Sequence, residues 1–268
     1  MSGLDTMTEP SVPSRILITG ASGGLGSALA RHYACHYAGP GVVLSLWGRD
    51  VARLEAVAAD CRAAGAVVDV RSLDIANVDA ALAALAHEDA ASPFDLALFA
   101  SGRGDVRAAG ELVEDAAMVA RLGTVNFTAP AAMAALLAER MAARGEGRIV
   151  LVGSAAAFHA LPFAVAYSGT KAGLARFAEA LRIGVAPHGV SVTLVSPGFI
   201  DTAAGRKVPG PKPMLLPPEA VAARIARAAE RRQAHAVMPW PFVALRWLDR
   251  LLPRPLRDRV LRSLAPPG

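Results

Sequence analysis

The sequence predicts an α/β fold: a single doubly wound parallel sheet of about seven strands with helices on both faces. Three observations carry that expectation. Short β-branched runs alternate with helix-like stretches along most of the chain, the pattern of parallel strands joined by helical crossovers. A glycine-rich stretch, Gly20 to Gly26, stands between the first run and the first helix. There a sheet of this kind meets a phosphate-bearing ligand. Finally, 53% of the 268 residues are hydrophobic against 19% charged, the balance of a globular chain with a large core.

Taken in order, Arg15–Thr19 is the first strand, and a helix follows from Ser27. Val42–Leu46 is the second strand, followed by a helix over about Val51–Ala64. Val67–Ser72 is the third, with a helical stretch from Val78 to His87. Phe94–Ala100 is the fourth, and a long Ala-rich helix fills about Glu114–Arg144. Arg148–Val152 is the fifth, and the next helix runs to about Ala186. Val190–Val195 is the sixth; an irregular segment, a helix over about Pro218–Arg232 and a last strand, Ala234–Met238, complete the sheet. Right-handed crossovers put the ligand outside the carboxyl ends of these strands. No boundary marks a second large domain, only a basic tail.

Several function classes are excluded. Met1–Ser14 is polar and proline-bearing, without the apolar centre of a secretory leader. No uncharged apolar run of about 18 residues is present, so no membrane-spanning helix is expected. The net charge is +5, but the cations are scattered Arg until the tail, with no tight basic run interleaved with aromatics. No nucleic-acid partner is expected. Cys35 and Cys61 do not make a disulfide framework, which fits a reduced, cytoplasmic chain. No metal is expected in the site.

The chemistry-bearing stretch runs from Ser154 to Lys171. Tyr167 and Lys171 are four positions apart, one turn along a single helix face. A phenol titrates near ~10 and is a poor acid or base at neutral pH. An ammonium beside it favours the phenolate and draws that value toward the working range. Ser154 follows the apolar run Ile149–Val152, so its hydroxyl stands at a strand end. Facing the Tyr/Lys helix, it would hold a carbonyl oxygen for protonation. On the pair alone, a half-buried tyrosine with a surface lysine is an equal reading. Neither Tyr33 nor Tyr37 repeats the spacing, and the other lysines are only Lys207 and Lys212, so coincidence has few openings.

Thr19-Gly20-Ala-Ser-Gly-Gly24-Leu-Gly26, Ser154, Tyr167-x-x-x-Lys171 and Pro197-Gly198-Phe-Ile-Asp-Thr202 stand in this order. Together they resemble the short-chain dehydrogenase/reductase family. The resemblance covers roughly residues 14 to 240 and implies a Rossmann-type fold. The G-x-x-x-G-x-G spacing is that family's, not the G-x-G-x-x-G of other dinucleotide folds. It divides the chain into an N-terminal segment (1–13), a dinucleotide-binding catalytic domain (14–238) with a substrate loop near 199–217, and a C-terminal extension (239–268).

The resemblance also implies roles. Tyr167 would be the general acid/base, Lys171 would hold the nicotinamide ribose and lower the phenol's pKa, and Ser154 would bind the substrate oxygen. Asn126 stands where the family has an Asn whose backbone holds a proton-relay water; a locally bonded helix polar residue is the other reading. Gly20, Ser22, Gly23, Gly24, Leu25 and Gly26 would cradle the cofactor. Asp74, with Ile75, would meet the adenine. Pro197, Gly198, Ile200 and Thr202 would shape the nicotinamide pocket. One departure stands out. Where the family carries Asn-Asn-Ala-Gly after the fourth strand, this chain reads Phe99-Ala100-Ser101-Gly102. Gly102 keeps the close approach, while the amides that brace neighbouring strands are gone.

After the second strand, Gly48 takes the place of the acid that selects NAD, and Arg49 follows it. An Arg there offers a planar fork to a 2′-phosphate. NADP(H) is therefore expected over NAD(H), which favours ketone reduction; Asp50 either folds back to the ribose or caps the next helix. Phe158, His159, Leu161, Pro162 and Phe163 form a mostly apolar substrate wall, in which His159 either touches substrate or sits at the surface. Met214, Leu215 and Leu216 are expected to close over an apolar, acyl or lipid-like ligand. In the tail, Trp247, Leu248, Leu251 and Leu252 form a stripe, with Arg246, Arg250, Arg254, Arg257, Arg259 and Arg262 as cations. Such a segment either touches an anionic membrane surface peripherally or packs on its own domain or a neighbouring subunit.

The expected function is NADP(H)-dependent hydride transfer between a carbonyl and a secondary alcohol, in a homodimer or homotetramer. Its alternative is a non-catalytic NADP-binding regulatory or scaffold protein on the same fold, against which the intact Ser/Tyr/Lys set argues. A lyase or epimerase is a weaker third.

Overall fold

The computed structural model describes residues 13–37, 42–104, 111–208 and 210–263. The expected N-terminal segment lies outside the described residues apart from Pro13, as does Pro209 of the substrate loop and residues 264–268 of the tail. The strands are β1 (Arg15–Thr19), β2 (Val43–Gly48), β3 (Val67–Ser72), β4 (Leu96–Phe99), β5 (Gly147–Val152), β6 (Val190–Pro197) and β7 (His235–Met238). All pair in parallel in one sheet, ordered β3-β2-β1-β4-β5-β6-β7.

Helices α1 (Gly24–His36), α2 (Val51–Ala63) and α8 (Pro218–Glu230) share one apolar layer. Helices α3 (Val78–Ala91), α5 (Ala129–Arg144) and α6 (Val165–Val185) share the other. The pleat explains the division: Ile16 and Ile18 of β1 enter the first layer and Leu17 the second. All three are fully buried, each stabilising the sheet by roughly 1.5–3 kcal/mol.

The chain leaves β1 toward β2 on one side, while β4 pairs on the other. This order reversal opens a crevice at the carboxyl ends of β1 and β4. Every functional segment gathers there.

The expected Glu114–Arg144 helix is interrupted. It is α4 (Ala116–Gly123), a π-helical turn over Thr124–Thr128 in which Ala129 N–H bonds Thr124 O, and then α5. Glu114 lies outside it because its carboxylate has another task, accepting from Ala166 N at 3.1 Å. It thereby satisfies a free donor in the first turn of α6, while Asp115 caps α4 by accepting from Met118 N. β2 runs on to Gly48, β4 is shorter than expected, and α3 continues to Ala91. A short helix, α7 (Ala203–Arg206), follows β6, and beyond β7 the tail forms α9 (Pro241–Leu251) and α10 (Arg254–Ser263). Among the described residues no helix is long and apolar enough to cross a membrane.

Candidate active site

The glycine turn is built from missing side chains. Gly20 adopts φ +71, and a Cβ there would lie 2.8 Å from Ser101 Cα. A Cβ on Gly26 would lie 2.1 Å from Gly20 O, and one on Gly24 would lie 2.5 Å from Thr202 Cγ2. The end of β1, the start of α1 and the segment after β4 therefore meet at backbone distance, and the Thr202 side chain packs onto Gly24. Gly23 N donates to Gly20 O at 2.9 Å, and α1 begins at Gly24 with its first-turn donors toward the crevice.

The opposite flank is built from buried polar side chains. β5 delivers Ser154, whose Oγ accepts from Ala156 N at 3.1 Å and caps a 3₁₀ turn, Ala155–Phe158. So held, the Ser154 hydroxyl faces the Tyr167 phenol and acts on its titration. α6 carries Tyr167 and Lys171 one turn apart, as their spacing predicts. Lys171 is 4% exposed, and its Nζ donates to Val152 O at 2.9 Å. Here the structure corrects the sequence reading, which had the ammonium pull the phenol down. Burial raises the Tyr167 pKa, and the Ser154 hydroxyl is what opposes the rise. Burial also lowers Lys171 to about 8.

Asn126 sits in the π turn, fully buried. Its Oδ1 accepts from Arg103 N and its Nδ2 donates to Arg103 O, both at 2.8 Å. The segment after β4, expected to lack bracing amides, is thus clamped from the helix. Thr19 Oγ1 adds a bond by accepting from Ser101 N at 3.3 Å. A Cβ on Gly102 would lie 3.4 Å from Lys171 Nζ and 3.5 Å from Asn126 Oδ1, so Gly102 joins the two flanks.

A cleft of about 270 Å³ runs along this junction. Gly20, Ser22, Gly23, Gly24, Leu25 and Gly26 line it, as do Arg49, Asp74 and Ile75. Gly102, Ile200 and Thr202 line its inner part. The cleft lacks Ser154, Tyr167, Lys171 and Asn126 among its lining residues, and meets that polar cluster at Gly102; Pro197 and Gly198 do not line it either. Pro197 pairs with Met238 in the sheet, Gly198 N donates to Met238 O at 2.8 Å, and the Phe242 ring of α9 covers Gly198. Asp50 caps α2 by accepting from Arg53 N at 3.0 Å, which removes it from the cofactor's reach. His159 is partly buried and meets Phe158 edge-on. Leu216 turns inward, bridged to Ile200, while Met214 and Leu215 are exposed.

Arg103, Arg121 and Val125 also line the cleft, unforeseen from the sequence. A signal existed for two of them, since Arg121 and Val125 lie one turn apart on the helix that carries Asn126. The open cradle, with donors at the α1 N-terminus and no Cβ in the way, fits a dinucleotide pyrophosphate.

Over residues 14–211 the chain matches the family model of the short chain dehydrogenases. An uncharacterized oxidoreductase of Myxococcus xanthus is 32% identical over 92% of this chain and 96% of its own. A putative ketoacyl reductase of the granaticin polyketide synthase of Streptomyces violaceoruber is 30% identical, covering 72% of this chain and 70% of its own. Among solved structures, a short-chain dehydrogenase from Sphingobium yanoikuyae in complex with NADPH superposes with a TM-score of 0.76 at 27% identity. That likeness covers 94% of this chain and 96% of the other. The chain belongs to the short-chain dehydrogenase/reductase family and is an NAD(P)-dependent oxidoreductase.

Proposed function

We propose that this oxidoreductase is an NADP(H)-dependent ketoreductase acting on apolar, acyl or lipid-like carbonyl substrates. The observation that carries the reading is the convergence of Ser154 at the end of β5, Tyr167 and buried Lys171 one turn apart on α6, and the glycine cleft that meets them at Gly102. The nicotinamide, when bound, supplies the hydride. Ser154, held by Ala156 N–H, turns its proton to the carbonyl oxygen. Tyr167 then donates the phenolic proton to that oxygen as charge develops on it. Its raised pKa suits this direction, because burial keeps the phenol in the donor form. Lys171, whose charge burial weakens, gains a polar partner in the ribose hydroxyls and steadies the phenolate left behind. Asn126 fixes the Arg103 backbone and leaves the π turn to hold a relay water.

NADP(H) is supported at the far end of the cleft. A Cβ at Gly48 would lie 2.7 Å from Ser22 Oγ and 3.2 Å from Leu54 Cδ2, so an acid there would have to displace both side chains. Arg49 stands beside it with its guanidinium 3.7 Å from Asp74. The NADPH-bound neighbour supports the same choice, and the ketoacyl reductase relative supports carbonyl reduction. Phe158, Leu161 and Phe163 supply the apolar wall. Exposed Val119 on α4 and Val165 and Ile183 on α6 suit a homodimer or homotetramer built on these helices. A cytoplasmic location, with peripheral membrane contact through 239–268, completes the reading. Consumption of NADPH and NADH over a panel of 3-oxoacyl thioesters, steroids and small diketones tests it. NADPH-dependent reduction of at least one apolar class is expected; preference for NADH, or turnover with none, overturns it.

A further inference from the structure

Helix α9 has two faces with different partners. Phe242 and Arg246, one turn apart, form the inner face. The Phe242 ring lies over Gly198 at the end of β6. The Arg246 guanidinium lies 5.8 Å from the centre of the Phe158 ring, which closes the 3₁₀ turn that Ser154 caps. The helix is thus fastened to the substrate side of the site.

The outer face is apolar and open. Trp240 is 77% exposed, Trp247 56% and Leu251 76%, with Val243 also exposed. Their spacing of three, four and four places them on one stripe opposite Phe242 and Arg246. The chain has three tryptophans, and the third, Trp47, is fully buried. Leu256 and Val260 extend the apolar surface onto α10, among exposed Arg254, Arg259 and Arg262. Residues 239–268 hold six Arg against two Asp, +4 of the chain's net +5. Nearby, exposed Met214 and Leu215 precede Leu216, which is bridged to Ile200, two residues beyond Gly198.

We infer that α9 and α10 dock this protein on an anionic lipid bilayer, with the substrate entrance set against that surface, so that carbonyl substrates enter from the bilayer. Exposed tryptophans beside apolar residues suit the headgroup boundary. The concentrated positive charge selects anionic lipid over another copy of the same cationic tail. The inner-face contacts carry the consequence to the site: a helix held by the bilayer also holds Gly198 and the Ser154 turn in place. The inference deepens the membrane contact of the proposed function and rests on the ketoreductase reading for its substrate.

The test compares the full chain with a Trp240→Ser/Trp247→Ser/Leu251→Ser variant on two vesicle types, phosphatidylcholine alone and phosphatidylcholine with phosphatidylglycerol. Co-sedimentation reports docking in both proteins and tryptophan emission reports it in the full chain; NADPH binding reports an intact fold. Docking is expected roughly tenfold or more stronger on the anionic vesicles, and lost in the variant with NADPH binding kept. Reduction of a long-chain ketone should rise several-fold with anionic vesicles in the full chain only, while a small water-soluble ketone gains nothing. Should the triple variant fail to bind NADPH, Arg254→Glu/Arg259→Glu makes the same comparison. No docking, docking indifferent to lipid charge, or loss of a dimer instead of vesicle binding overturns the inference. Docking without acceleration of the long-chain ketone overturns substrate entry from the bilayer. Absence of turnover on every ketone counts against the ketoreductase reading and leaves the sedimentation result standing.

Discussion

The two flanks of the site, the glycine cleft and the polar cluster that Gly102 joins to it, are made by opposite means. On the glycine flank the working parts are absences: Gly20 and Gly26 let backbone meet backbone, and Gly24 admits the Thr202 side chain, where a single Cβ would collide. On the Ser154 flank the working parts are buried polar side chains, Asn126, Lys171 and Ser154, each satisfied by a backbone group. The difference teaches how each flank fails. The first is damaged by adding atoms and loses binding; the second is damaged by removing atoms and loses chemistry.

The largest separation is expected from Tyr167→Phe. Removing one oxygen leaves the packing in place and takes away the proton donor, so kcat should fall about 10³-fold, or ~4 kcal/mol. The NADPH dissociation constant, read by fluorescence titration, should stay within about twofold. Retained turnover across the ketone panel would show that the phenol does not donate. Next comes the titration of Lys171, whose folded value is about 8 against an ordinary 10.5. Between those values the unfolded chain holds the lysine proton more firmly than the folded chain. Stability of the cofactor-free protein should therefore rise with pH from about 8 to 10.5, by at most about 1.4 kcal/mol per pH unit. Denaturant midpoints across that window should show the rise, and Lys171→Met should flatten it. A wild-type curve as flat as the variant's would mean that the amine is not desolvated.

On the glycine flank, Gly26→Ala adds one carbon 2.1 Å from Gly20 O. The turn must shift, at a cost of about 2 kcal/mol, and NADPH affinity should drop at least roughly tenfold. Protein that binds too little NADPH to measure agrees with this. Unchanged affinity would mean that the turn is not the cradle.

What the sequence made legible follows the same division. Local signals were enough for β1, the glycine turn and the Tyr167/Lys171 helix, because each is set by residues adjacent in the chain. The π turn was not legible. One extra residue in a helical turn leaves hydrophobic spacing almost unchanged, so Thr124–Thr128 reads as helix. Nor was the corrected partner of Lys171, since Val152 O is a backbone atom on another element. The same holds for Phe242 over Gly198, a contact made between β6 and the tail. At Asp50 a ribose contact and a helix cap need the same residue, and only the position of Arg53 N decides for the cap.

The smallest expected effect bears on whether the comparison is complete, because Arg49 asks the glycine flank to act through a side chain. Its guanidinium is 65% exposed and 3.7 Å from Asp74, a surface pair that contributes little to stability. Its removal should therefore leave the melting temperature nearly unchanged. If it meets the 2′-phosphate, Arg49→Ala loses a charge-assisted hydrogen bond of about 1.5 kcal/mol, roughly a tenfold weaker NADPH affinity. NADH, which has no phosphate there, should bind as before. Parallel titrations of the two cofactors against wild type and variant measure the ratio directly. Equal weakening of both would return Arg49 to the general field of the cleft, and leave Ser22 and the missing side chain at Gly48 to account for cofactor choice.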